Sequence, residues 1–272
     1  MNRKSIILLL IIIVSWGFEF LWIRYGYFFD FRLFGIHFIP LFLVPLISIW
    51  FLSLQGVNLI NVLGRFGQIR LWFFSLFIPI LIAGVSTSLM ILLRLVRFSE
   101  NVNVETRILG LIIDLPLNYV LWFPLLFSTE ICWRGAFLPH SGKRLETIRR
   151  STISSFLWIL SLGGFVFLGY TERGFSFLTG SLSVTAFLFL GIYQSMIYRR
   201  SGSLLLSAFS LLCIILINSY IFELPLAGTH PLVEVLHPKS MPSTIGFFIS
   251  SCLFGLTSIV MWNQRRDESA RR

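Results

Sequence analysis

Glu130 and Arg134 stand four residues apart in LLFSTEICWRGAFLPH, residues 125–140, at the close of a long apolar run. With the acid first and this spacing, the two side chains meet on one side of a helix and neutralise each other. A carboxylate in such a place is also the raw material of a general base, since burial raises its affinity for a proton. Arg134 works against that use, because a cation one turn away favours the ionised form and holds it in a pair. On residue types alone the stretch is an intrahelical ion pair closing a span.

The elements that must position this pair are set by composition. Hydrophobic residues make up 56% of the 272 and charged residues 12%, against about 25% charged in a soluble domain. A bilayer core asks for about 20 mostly apolar residues per helix. Stretches of that kind run at 5–23, 33–54, 71–93, 108–128, 151–170, 175–198, 202–222 and 243–262. They are too long and too continuously apolar for barrel strands. An all-α membrane protein with about eight transmembrane helices is expected, forming one polytopic domain over residues 1–272. The first stretch follows basic residues as a signal peptide would. Trp16, Phe18 and Phe20 stand where a small-residue cleavage site should be, so it reads as a retained span.

Orientation follows from Lys and Arg in short loops. With the N-terminus inside, the inside segments hold Arg3, Lys4, Arg65, Arg70, Lys143, Arg144, Arg149, Arg150, Arg199, Arg200, Arg265, Arg266, Arg271 and Arg272. The outside holds Arg24, Arg32, Arg94, Arg97, Arg107, Arg173 and Lys239. Both termini are therefore expected in the cytoplasm, and a bacterial-type cytoplasmic (inner) membrane is the expected location. The net charge of +10 is scattered at helix ends, with no soluble domain to form a nucleic-acid groove. The lipid bilayer and its anionic headgroups are the natural counter-charge.

Cys132, Cys213 and Cys252 have no paired spacing, so neither a disulfide framework nor a metal or cofactor site is expected. His230, Glu234 and His237 lie in a proline-rich connection, residues 223–242, that reads as an irregular external loop with solvated side chains. Residues 55–70 alternate an apolar and a polar side at helical spacing and suggest an interfacial helix, although Gly64 and Gly67 weaken it.

Polar residues inside spans need a partner or a purpose. Glu19 can reach water or Arg24 near the end of the first span. Asp114 and Asn118 either form a polar site between helices or hydrogen-bond the backbone freed by Pro116, the simpler account. Asn218, Ser219 and Tyr220 mark an interface. Apart from Asp114 and Glu19 the spans lack the charged chains of a solute path, which disfavours a small transporter.

The letters around the ion pair also resemble a known family. STEICWRGAF is similar to the first motif of the CPBP family, the intramembrane glutamate proteases that include the CAAX prenyl endopeptidases and bacteriocin-processing proteins. That motif reads Glu-Glu-x-x-x-Arg. Glu130 and Arg134 match its second Glu and its Arg, and Thr129 stands in place of the first Glu. ISSFLWIL, residues 153–160, resembles the second motif, Phe-x-x-x-His, with Phe156 matching and Leu160 at the His position. The stretch from Gly191 to Ile215 resembles the third region, where Gly-Ser leads into a helix with His-x-x-x-Asn. Gly202 and Ser203 match, and Leu211 and Ile215 fall at the His and Asn positions.

The resemblance covers residues 120–220 and implies a CPBP-like helical bundle. In the family the first Glu and the second-motif His activate a water, and the third-motif His and Asn hold the oxyanion. Thr, Leu and Ile supply neither function. The resemblance thus implies a degenerate member, catalytically silent and acting by binding a membrane-protein partner or a lipidated or apolar peptide. The alternative it leaves is an active endopeptidase with Glu130 as base. A dry interior lined with hydrocarbon is expected around the pair.

Overall fold

The computed structural model describes residues 66–98, 126–127, 130–136, 138, 144–161, 177–222, 233–235 and 241–270, with single positions at 13, 50, 109 and 113. Among them are five α-helices: α1 Ile69–Leu92, α2 Arg144–Ser161, α3 Phe177–Ser201, α4 Leu204–Phe222 and α5 Met241–Ala270. A six-residue π-helical turn, Ile131–Ala136, precedes α2. Two three-residue strands, β1 Val96–Phe98 and β2 Val233–Val235, pair antiparallel.

The apolar runs at 71–93, 175–198 and 202–222 become helices with nearly the expected ends. By contrast, α5 continues eight residues past the run at 243–262, and α2 starts seven residues before the run at 151–170, whose residues 162–170 lie outside the described residues. Of the described helices, Ile69–Leu92 and the Ser181–Ser201 part of α3 are long and apolar enough to cross a membrane. The shorter stretches Leu204–Ile217 and Phe248–Met261 are also apolar. All but one position each of the expected spans at 5–23 and 33–54, nearly all of the span at 108–128, and the Asp114 and Asn118 pair within it lie outside the described residues.

α1 shows how one helix serves two surroundings. Ser75, Pro79, Ile82, Ala83, Ser86, Thr87 and Met90 are buried, while Phe73, Phe77, Leu81, Val85 and Leu92 are exposed. Ser86 and Thr87 donate their hydroxyls to the carbonyls of Ile82 and Ala83, each at 2.8 Å. These polar side chains thereby satisfy themselves locally within an apolar element.

The entry to α1 differs from expectation. Residues 66–68 are not helical, Gly67 adopts φ +79°, and Arg70 already belongs to α1. The left-handed backbone, easy only for glycine, keeps an interfacial helix from running through residues 66–68, and residues 55–65 lie outside the described residues. A Cβ at Gly67 would also lie 3.2 Å from Ser203 Cβ. The Trp72 indole donates to the Phe66 carbonyl at 2.9 Å and stacks on the Phe66 ring, fixing the bend.

Within residues 223–242, expected as an irregular loop, the described residues are strand at 233–235 and the start of α5 at 241–242. β2 lies within them and pairs Val96 with Val235, Arg97 with Glu234 and Phe98 with Val233. Glu234 thus stands across from an arginine on the neighbouring strand, and no group of three or more His, Cys, Asp or Glu suited to a metal ion occurs among the described residues. His230 and His237 lie outside the described residues.

Contacts between helices give their directions. Ser155 lies against Gly191 and Trp158 meets Phe187 edge-on at 5.8 Å, so α2 and α3 are antiparallel. α3 turns into α4 through Gly202 at φ +66°. Gly67 rests on Ser203 and Trp72 on Phe209, so α1 and α4 run parallel. Ser250 donates to Ser86 at 2.9 Å, and Ile249 packs on the Met90 and Val96 cluster beyond it, so α5 runs against α1. A shared core of Ile82, Trp133, Trp158, Leu190, Tyr193, Ile197, Leu206, Leu211, Ile214 and Phe254 joins all five helices and the π-helical turn.

Candidate functional site

Glu130 and Arg134 both have no solvent exposure, and Arg134 Nη1 donates to Glu130 Oε1 at 2.9 Å. The pair forms as its spacing predicts, but the backbone beneath it is a π-helical turn rather than an α-helix. Single π turns are frequent at functional positions because the wider turn redirects side chains. Ser154 of α2 donates to the Trp133 carbonyl at 2.5 Å and ties this turn to its neighbour. Gly135 lets it lie against α4, where a Cβ would come 3.2 Å from Leu204 Cδ1.

Arg134 reaches two further groups. Its Nη2 donates to the Gly191 carbonyl at 3.3 Å, and its guanidinium carbon lies 5.0 Å from the Trp158 ring centroid. The second geometry is a cation–π contact, worth about 2 kcal/mol or more when desolvated. Gly191 is required here: a Cβ would meet Ser155 Cβ at 2.6 Å, so only glycine allows α3 this close to α2.

Glu130 is held from the other side by α4. Ser207 Oγ donates to Glu130 Oε2 at 2.5 Å. Gln194 of α3 completes the arrangement, with its amide orientation set by its partners. Its nitrogen donates to the Ser207 carbonyl at 3.0 Å and to Ser207 Oγ at 3.2 Å, and its oxygen accepts from the Leu211 amide at 3.2 Å. Gln194 therefore spans one turn of α4 and orients the hydroxyl that reaches Glu130. Gln194 and Ser207 are both fully buried.

Chemically, the carboxylate has both oxygens occupied by charge-assisted hydrogen bonds, the stronger kind. A buried ion pair repays its desolvation only when such extra bonds satisfy it. The arrangement offers the carboxylate no open approach for a water, and it locks the π-helical turn, α2, α3 and α4 to one another.

The residues singled out by sequence are placed unequally. Glu130, Arg134 and Leu211 come together through Ser207 and Gln194. Leu211 is buried in the shared core, and Ile215, one turn further along α4, packs against that core. Leu160 is not brought to the pair. It is half-buried on the side of α2 that carries exposed Ile153 and Phe156, while Ser154, Ser155 and Trp158 face the site. A helix can turn only one face inward, and here the residues at 154, 155 and 158 occupy it. Thr129 lies outside the described residues.

The hydrocarbon lining expected around the pair is met at Leu211 but not beside Glu130, where Ser207 and Gln194 stand. Sequence reasoning missed both. A lone amide at 194 within an apolar span was the available signal, because it needs buried partners. Cys213 packs with Ala83 and Ile217, in keeping with a packing role. No protein-family model, curated protein or solved structure matches this chain.

Proposed function

We propose that this chain is a multi-pass inner-membrane protein with a CPBP-like bundle of about eight spans, catalytically silent, that acts by binding a membrane-protein partner or a lipidated or apolar peptide. The observation that carries the silent reading is the state of Glu130: no exposure, Oε1 held by Arg134 and Oε2 by Ser207. A general base must reach the water it activates, and the Glu130 carboxylate is sealed from solvent while each oxygen is tied to a neighbouring side chain. Leu211 and Ile215, at the positions of the oxyanion donors, have no polar side-chain atom to offer.

Helix direction supports the eight-span reading. α1, α2 and α4 run one way and α3 and α5 the other, as the third, fifth, seventh, sixth and eighth spans of that topology would. The alternative reading, an active endopeptidase using Glu130, draws on the donors Ser207 and Gln194 around the carboxylate.

The test is the purified chain in lipid vesicles, presented with farnesylated and unmodified peptides. Binding of the lipidated peptide without hydrolysis is the expected result. Cleavage that disappears in a folded Glu130→Gln variant would establish the endopeptidase instead.

A further inference from the structure

The helix directions bring one set of charges to one end of the molecule. α1, α2 and α4 begin there, and α3 and α5 finish there. In the described helices that end holds Arg70 of α1, Arg144, Arg149 and Arg150 of α2, Arg199 and Arg200 of α3, and Arg265 and Arg266 of α5. The acids at the same end are Glu146 of α2 and Asp267 and Glu268 of α5. Among the described residues the opposite end has Arg94 and Arg97, and Arg97 stands across from Glu234.

Three helix N-termini add their positive dipole ends to this excess. α1 and α4 have no acid in the first turn to offset them, and α1 places Arg70 there instead. A cation at a helix N-terminus is unfavourable unless an anion lies nearby. Arg70 and Arg149 are exposed, and Arg150, Arg199 and Arg200 are partly so.

Between the two ends runs the exposed apolar side of α1, about 36 Å long for its 24 residues. An anion that meets a cationic collar at the edge of such a shaft is attached to hydrocarbon. We propose that this end binds the phosphate headgroups of anionic lipids in the facing leaflet, through Arg70, Arg149, Arg150, Arg199 and Arg200. The inference rests on the membrane-spanning reading and adds to it a lipid class and a binding end.

The test uses the full chain purified in a neutral detergent and titrated with phosphatidylglycerol, phosphatidylcholine or inorganic phosphate, with bound lipid counted by native mass spectrometry. Phosphatidylglycerol is expected to bind, and phosphatidylcholine and free phosphate are not. Each arginine removed should weaken binding about fivefold, so Arg149→Gln with Arg200→Gln should cost about 25-fold. Arg94→Gln with Arg97→Gln, at the other end, should leave binding unchanged.

Equal binding of both lipids, or undiminished binding in the Arg149→Gln, Arg200→Gln variant, overturns the proposal. Should that variant not fold, salt decides on the unaltered chain. Loss of the phosphatidylglycerol preference on going from about 0.05 to 0.5 M salt supports the proposal, and its persistence overturns it. Release of the chain from membranes by alkaline carbonate is a separate result that removes the membrane reading itself, and this inference with it.

Discussion

Ser207 Oγ and Glu130 Oε2 meet at 2.5 Å across 77 residues of sequence. This bond turns a local ion pair into a junction between the π-helical turn and α4. Removing only the hydroxyl should show how much the junction contributes. Ser207→Ala leaves Glu130 Oε2 without its donor and Gln194 without one of its acceptors, at a cost of about 1–3 kcal/mol. Reversible denaturation in micelles reads the loss, and an unchanged midpoint would mean that the junction is dispensable.

Glu130→Gln should be more damaging, because it strands the buried guanidinium of Arg134. Breaking a buried pair in this way costs about 3–5 kcal/mol. Arg134→Met should do comparable harm by stranding the carboxylate, while the combination of Glu130→Gln with Arg134→Met should be milder than the sum. A double-mutant cycle on thermal unfolding measures the coupling directly.

Gly191→Ala should push α2 and α3 apart, because the new methyl group would come within 2.6 Å of Ser155 Cβ. Overpacking of this kind costs about 1–3 kcal/mol. Ser155→Gly in the same chain removes the opposing atoms and should restore much of the stability. Failure of that rescue would locate the damage at the Arg134 bond to the Gly191 carbonyl rather than at the helix crossing.

The two ends of the bundle should be chemically distinguishable in cells. In a chain with Cys132, Cys213 and Cys252 changed to Ala, Arg149→Cys and Leu93→Cys place thiols at opposite ends, both at exposed positions. A membrane-impermeant maleimide should label Leu93→Cys from outside and reach Arg149→Cys only after lysis. Labelling of both in intact cells would remove the proposed orientation.

What could be read from the sequence divides along physical lines. The helices α1, α3, α4 and α5 follow apolar runs whose length alone calls for helix, and the Glu130 and Arg134 pair follows from i,i+4 spacing. Gln194 and Ser207 were not legible as site residues. Neither carries charge, and serine is common in packed helices, so only their convergence across α3 and α4 gives them meaning. The π-helical turn has no periodicity of its own over six residues. β1 and β2 are too short to show alternation, and their pairing joins parts of the chain far apart in sequence. Leu160 adds a further limit: a position matched by motif spacing lies half-buried on the Ile153 and Phe156 side of α2, because which side of a helix turns inward is decided by its neighbours.

The pairing of β1 with β2 has a consequence for how the protein is made. β1 follows α1 directly, whereas β2 comes just before α5, so the first strand emerges from the ribosome long before its mate exists. Until residues 233–235 have been made, its edge must wait unlatched. The strand pair therefore acts as a late closure, bringing the last helix back alongside the first described one, and a chain cut short before residue 233 would leave that edge open to other polypeptides.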